Sequence, residues 1–325
     1  MLAFILRRVM QSVLVVITMS LVVFFGVHVV GDPVYLLINP MADQRDIEIA
    51  IKNLGLDLPI WHQYWNFVTG ALKGDFGKSF VFGESALKVI IQRIPATLEL
   101  AAVALLMAIV FGIPLGLYAG LFPESRSSKA IMATSIVGFS LPTFWVGLML
   151  IMLFSVILGW LPPGNRGPET TVLGITSSLW TLQGWKHIFL PALNLALLKI
   201  SLVIRLTYAG TREAIHQDFI KFARAKGLKP RRVIGVHLMK TIMIPVITVL
   251  GLELGNLVAF SVVTESIFSW PGMGRLLIES IRNLDRPIIV AYLILIVLMF
   301  VLINLIVDII YSLLDPRVRL GEKTA

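Results

Sequence analysis

A single glutamate, Glu253, stands in the middle of the apolar run V-L-G-L-E-L-G-N-L-V. A charged carboxylate at the centre of a bilayer costs about 2.5–3.5 kcal/mol on insertion scales, so such a residue belongs against a partner helix or a watery path. Gly251 and Gly255 flank it at the spacing that lets helices approach closely, and Asn256 falls on nearly the same helical face. Two readings stand for Glu253 and Asn256: a structural hydrogen bond between packed helices, or the lining of a translocation path. Lys199 and Arg205 lie toward one end of their own apolar segment, where long side chains are expected to snorkel. Asp308 is expected to cap or pair near the end of the last segment.

Other chemistry is missing. The chain has no cysteine, which excludes disulfides, thiolate metal sites and cysteine nucleophiles. The five histidines, His28, His62, His187, His216 and His237, show no metal-ligand spacing, and no nucleophile elbow, paired carboxylates or dinucleotide fingerprint occurs. G-D-F-G-K-S at 74–79 resembles the end of a phosphate-binding loop, but the place five residues before Gly77 is Leu72 where that loop needs glycine. A turn with a cationic tip is the expectation there, and catalysis by this chain is not expected.

The elements that must position Glu253 are membrane spans. Of 325 residues, 57% are hydrophobic and 14% charged, with mean hydropathy +0.87, too apolar for an ordinary soluble globule. A spanning helix needs roughly 20 mostly apolar residues. Six stretches are predicted, at about 9–30, 97–122, 130–158, 188–210, 241–266 and 287–312. The first begins after Arg7 and Arg8, is longer than a signal-peptide core and lacks a small-x-small cleavage site, so it reads as a retained helix. Basic residues concentrate on one side, with eight Lys and Arg between Arg212 and Lys240, which predicts cytoplasmic termini. Residues 31–96 balance seven acidic against six basic residues and carry W-H-Q-Y-W, reading as a small external subdomain resting on the membrane face. Residues 160–187 form a second outer loop, Pro/Gly-rich at first and tryptophan-bearing later.

The net charge of +9 leaves the basic stretch F-I-K-F-A-R-A-K-G-L-K-P-R-R, starting at Phe219, with three readings: a nucleic-acid face, an anchor to acidic lipid, or a docking surface for protein. Ile215, Phe219 and Phe222 recur at i, i+4 and i+7 with Ala223 beside them, predicting a helix with one apolar stripe. Gly227 supplies a stop and Pro230 suits the first turn of a following helix. Charge topology accounts for the lysines and arginines but not for small residues beside aromatics, and nothing elsewhere supports nucleic acid. Close protein contact is the reading retained.

Taken in order, the motifs resemble a known family. F-I-L-R-R near the start, G-D-P at 31–33, L-G-L-D-L-P at 54–59, G-D-F-G-K-S at 74–79, P-A-T-L-E-L at 95–100, A-R-A-K-G-L at 223–228, F-S-W-P-G-M-G-R at 268–275 and N-L-I-V-D-I-I-Y-S-L-L-D-P-R-V-R at 304–319 run nearly end to end. Together they resemble the membrane permease subunit of ABC importers of the dipeptide, oligopeptide and nickel class, in the form with a long outer segment after its first helix.

That resemblance implies an all-α integral membrane protein with the type I importer permease fold and six spans. The expected divisions are a first membrane helix at 1–30, an external subdomain at 31–96, a five-helix transmembrane domain at 97–312 containing a coupling segment at 211–240, and a cytoplasmic tail at 313–325. It further implies that Ile215, Phe219, Phe222, Ala223, Arg224, Ala225, Gly227 and Leu228 form a coupling segment that enters a cleft on a cytoplasmic ATPase. This chain has Lys221, Phe222 and Ala223 where the general importer pattern has Glu-Ala-Ala, and Glu253 stands where a neutral amide is familiar. The implied partners are a second permease, two ATPases, an extracytoplasmic solute-binding protein and membrane lipid, with no nucleic acid. The chain itself needs no cofactor; ATP and magnesium belong to the ATPases. The rival reading is a self-sufficient channel or secondary transporter using Glu253 as an ion or proton site, against which stand the lack of a clear internal repeat and of broken-helix pairs expected from the sequence.

Overall fold

The computed structural model describes residues 2–29, 52 and 57–314. In chain order the helices are α1 (Leu2–Val29), α2 (Ile60–Leu72), α3 (Ala86–Leu121), α4 (Arg126–Ser140), α5 (Thr143–Ile157, π-helical from Ile151), α6 (Leu182–Ala214), α7 (Asp218–Ala225), α8 (Pro230–Phe260, with a π-helical stretch Val233–Leu238), α9 (Val262–Ile267), α10 (Met273–Arg282) and α11 (Arg286–Leu314). One antiparallel hairpin, β1 (Thr170–Val172) with β2 (Ile175–Ser177), interrupts the helices, pairing Thr170 with Ser177.

Among the described residues five helices are long and apolar enough to cross a membrane: α1, α3, α6, α8 and α11. The sixth predicted span, 130–158, is instead the pair α4 and α5, bent by 108°. The break is local chemistry. Pro142 disfavours helical backbone at the residue before it, and Leu141 is extended at φ −83°, ψ 136°. The second predicted span also begins earlier than hydropathy alone indicates, because α3 starts at Ala86 with a polar and charged first part.

The molecule divides into two compact units. One contains residues 98–270 and 302–314 of the described chain. Its core joins Ala108 and Ile113 of α3, Val203 and Ala214 of α6, Ile220 and Ala223 of α7, and Val233, Leu238, Ile242, Val246 and Leu250 of α8, all buried. Close helix approach underlies it. Gly112, Gly116 and Gly120, four residues apart on α3, lie so near Val203, Thr207 and Thr211 of α6 that an added Cβ would come within 2.5–2.7 Å of them. This is the small-residue spacing by which helices associate in lipid. Thr181 caps α6, its hydroxyl accepting from the Gly184 amide at 2.9 Å.

The other unit contains residues 2–97 and 271–301. Here α2 clasps α1 through aromatic rings, and the loop before α3 is tied to the start of α11: Ser79 donates its hydroxyl to Asp285, a carboxylate with no solvent exposure. The Phe80 amide donates to the same carboxylate at 3.2 Å. Thr97 Oγ1 accepts from the Met273 amide at 2.9 Å, fixing α10 on α3. The described part of the expected external subdomain therefore packs with α1 and the α10–α11 region.

Candidate functional site

The segment after α6 folds as a short helix between two breaks. Ile215 is the C-terminal cap of α6, its amide bonded to the Thr211 carbonyl, and α7 begins at Asp218. Ile215 therefore does not share a helix with Phe219 and Phe222, which corrects the predicted stripe. On α7 the inward face is Ile220 and Ala223, 1% and 4% exposed, while Phe219 and Phe222 point outward at 38% and 61%. Residues three apart share a helical face, so Ala223 and Phe222 lie on different sides. The core took the smaller and the branched side chain and left both rings uncovered.

Around these rings Arg224 and Ala225 are exposed, and the Lys226 ammonium sits 4.5 Å over the Phe222 ring. The Asp218–Lys221 pair at 2.9 Å is solvated. Gly227 closes the helix at φ +73°, a left-handed backbone that glycine adopts without strain, with its amide on the Arg224 carbonyl. Leu228 turns back to pack half-buried against the core, and Pro230 opens α8 at its first position. The result is a short helix with one apolar foot in the core and a two-phenylalanine face outside it.

Glu253 lies on α8 and pairs with Lys199 of α6. The two side chains keep 17% and 20% exposure, so one edge of the pair is open. Lys199 does not snorkel, which corrects the sequence expectation. Mutual neutralisation offsets a desolvation cost that each charge would otherwise meet alone. Asn256, one turn further, is half-buried. Arg205 does not simply reach for the helix end either; its guanidinium stacks 4.6 Å over the Phe139 ring of α4. The side chains of His28 and Asp308 lie outside the described residues.

Besides the Ser79–Asp285 bond, further buried polar centres escaped the sequence reading. Glu265 of α9 has no solvent exposure and accepts from Ser261 Oγ at 2.9 Å. Asn194 of α6 donates to Thr264 Oγ1 at 3.0 Å. Arg166 grips Glu99 with two parallel bonds, Nη2 to Oε1 at 2.6 Å and Nε to Oε2 at 3.0 Å, and reaches Glu169 at 2.6 Å. The signal available was a carboxylate in an apolar context, E-L-A-A-V for Glu99 and V-V-T-E-S-I-F for Glu265. The G-D-F-G-K-S motif is a turn: Gly77 donates its amide to Asp75 at 2.9 Å, and Ser79 serves Asp285. Among the described residues no cluster of three or more metal-ligating side chains occurs.

A helical membrane protein with a bent third span, and a short helix set between its fourth and fifth, has the fold of an ABC importer permease. A chain of the MetNI methionine ABC transporter, solved in an inward-facing conformation, superposes with a TM-score of 0.54 at 17% identity, covering 70% of this chain and 97% of its own. At that identity the likeness is one of fold.

The family follows from sequence. Residues 112–320 match the binding-protein-dependent transport system inner membrane component, and residues 1–101 match the N-terminal part of such membrane components. The chain belongs to this family and is a multi-pass inner-membrane permease of an ABC importer. It is 37% identical over 333 residues to the di/tripeptide transport system permease protein DppB of Pseudomonas aeruginosa (strain UCBPP-PA14), covering 98% of this chain and 99% of that protein. It is 36% identical over 320 residues to the glutathione transport system permease protein GsiC of Escherichia coli (strain K12), with the same coverage. This membership does not favour a self-sufficient channel or secondary transporter.

Proposed function

We propose that this chain forms half of a translocation pathway for short peptides or a closely related solute such as glutathione. The observation that carries the reading is the nearly full-length similarity to permeases named for di/tripeptide and for glutathione transport. Catalysis is assigned elsewhere: the chain has no cofactor of its own, and two partner ATPases consume ATP with magnesium. A second permease completes the pathway and a solute-binding protein delivers the cargo to the outer face.

Under this reading α7 is the coupling helix. Phe219 and Phe222 fill a cleft on the ATPase, Arg224 and Ala225 border it, and Ile220, Ala223 and Leu228 transmit its displacement to α6 and α8 because they are packed into the same core. Closure of the ATPases then moves α7 as a rigid body. Glu253 and Asn256 face the pathway, with Lys199 as the counter-charge paired with Glu253.

The divisions 1–30, 31–96, 97–312 and 313–325 are carried forward with this topology, termini and α7 on the cytoplasmic side. Ser79 is buried and bonded, so Val81, which is exposed, is the better reporter of the outer loop. In this cysteine-free chain Val81→Cys is expected to react with an impermeant thiol reagent in sealed right-side-out cells, and Lys226→Cys is not. Reaction at 226 with protection at 81 inverts the topology. Substrate class is read from uptake of labelled dipeptides, tripeptides and glutathione by cells with and without this chain. Uptake of all three unchanged by its deletion removes the peptide reading.

A further inference from the structure

Helix α2, I-W-H-Q-Y-W-N-F-V-T-G-A-L, contains no Asp, Glu, Lys or Arg. It is fastened to α1 below the end of that helix. Tyr64 shares a hydrogen bond with Ser20 Oγ at 2.9 Å; the Tyr64 and Phe67 rings lie 5.3 and 5.6 Å from the Phe24 ring; and Trp61 meets Phe25 edge-on at 5.8 Å. The apolar window of α1 runs Arg8–Gly26, so Ser20 is six residues inside its end. At 1.5 Å per residue, that places the Tyr64 contact about 9 Å into the window. Only 11% of that window is buried inside the chain.

Beside this contact much of α2 is uncovered, and Trp61 lies at the boundary, touching Phe25 with one edge. Leu58 just ahead of the helix, then Trp61, Trp65 and Leu72, are 39%, 67%, 66% and 83% exposed, and His62 and Asn66 lie beside them. Charge returns only at the ends, with Asp57 before the helix and Lys73 after it.

We propose that α2 is an interfacial helix lying in the boundary between acyl chains and headgroups at the C-terminal end of α1, and that its partner is the bilayer itself. The depth of the Ser20 contact sets its level, and α1, to which α2 is fastened, has little of its own apolar window buried by the chain. Trp61 and Trp65 one turn apart put apolar ring bodies toward the acyl chains and indole N–H groups toward headgroups, the arrangement for which tryptophan is enriched at interfaces. An uncharged helix with a polar flank of His62 and Asn66 matches a zwitterionic headgroup layer. The chain leaving α2 enters the loop that Ser79 ties to Asp285, so that loop is held at one end by lipid and at the other by α11.

A nitroxide at Trp65→Cys, in the complete transporter reconstituted into phosphatidylethanolamine/phosphatidylglycerol vesicles, reads the surroundings directly. Collision with oxygen is expected to exceed collision with a water-soluble nickel chelate by several-fold relative to the same label at Val81→Cys, on the exposed part of the loop before α3. Preferential access to the nickel chelate would put α2 in water, and poor access to both reagents would mean that another protein covers it; either result overturns the proposal. Should the cysteine variant fail to assemble, brominated lipids provide a second reading. Trp61→Phe/Trp65→Phe is expected to remove a large part of the lipid-quenchable tryptophan fluorescence, and an unchanged quenchable fraction would equally overturn it. None of these readings depends on which solute is transported.

Discussion

Ser79 and Asp285, 206 residues apart in sequence, meet as hydroxyl donor and buried carboxylate acceptor, and the Phe80 amide joins them from the same loop. The bond gives G-D-F-G-K-S its structural sense: the glycines shape a turn whose last residue fastens the loop before α3 to the start of α11. Removing a buried hydrogen-bond partner costs about 1–3 kcal/mol through the group left unsatisfied. Ser79→Ala is therefore expected to lower the unfolding temperature of the detergent-solubilised complex. Asp285→Asn, which retains an acceptor, is expected to lower it less than Asp285→Ala. Equal melting of wild type and Asp285→Ala would contradict the assignment.

Arg166 and Glu99 make a second lock. Both side chains are about one-tenth exposed, and the pairing is bidentate. Breaking a buried pair by removing one partner typically costs about 3–5 kcal/mol. Arg166→Ala is expected to destabilise strongly. Arg166→Lys recovers only part of the loss, because a point-charge ammonium cannot reproduce two parallel bonds. Thermal unfolding of the three forms checks the order.

For Lys199 and Glu253 the informative variant is the double one. Either single change, Glu253→Gln or Lys199→Met, leaves a charge without its counter-ion and is expected to impair assembly. Replacing a buried pair by apolar side chains of similar volume is often neutral for stability. Lys199→Met/Glu253→Leu is thus expected to assemble like wild type, yet, on the proposed pathway role of Glu253, to transport poorly. Wild-type uptake by the double variant would make the pair purely structural.

On α7 the two faces separate cleanly. Phe222→Ala removes a ring that is 61% exposed, so the chain should fold normally, while coupling to the ATPase weakens by about 2 kcal/mol or more, as for a desolvated interface anchor. Ile220→Ala empties a buried site and is expected to cost about 2–5 kcal/mol of fold stability. Gly227→Val forces a β-branched residue into φ +73° and damages the turn itself. Binding-protein-stimulated ATP hydrolysis and uptake, measured beside membrane insertion, distinguish the three. Phe222→Ala with unaltered stimulation would return the basic stretch to a lipid anchor or a charge signal.

Much of this protein is determined by properties that act along the chain. Twenty-residue apolar runs define five of the spans because hydrocarbon demands internally satisfied backbone over that length. Gly227 and Pro230 bracket the end of α7 because their backbone preferences are local, and the absence of cysteine and of metal spacing needs no fold to be read. Even the bend between α4 and α5 was written at Pro142, although hydropathy, which averages over a window, ran straight through it. What only the tertiary structure decided is pairing across distance. Lys199 finds Glu253 across 54 residues, Arg166 finds Glu99 across 67, and Asp285 finds Ser79 across 206. The orientation of α7 belongs with these. Its spacing allowed either Phe219 and Phe222 or Ile220 and Ala223 to face inward, and the choice fell to the pair that fits among Val203, Ile242 and Val246. Helical period tells which residues share a face; the space left between α6 and α8 determines which face is buried.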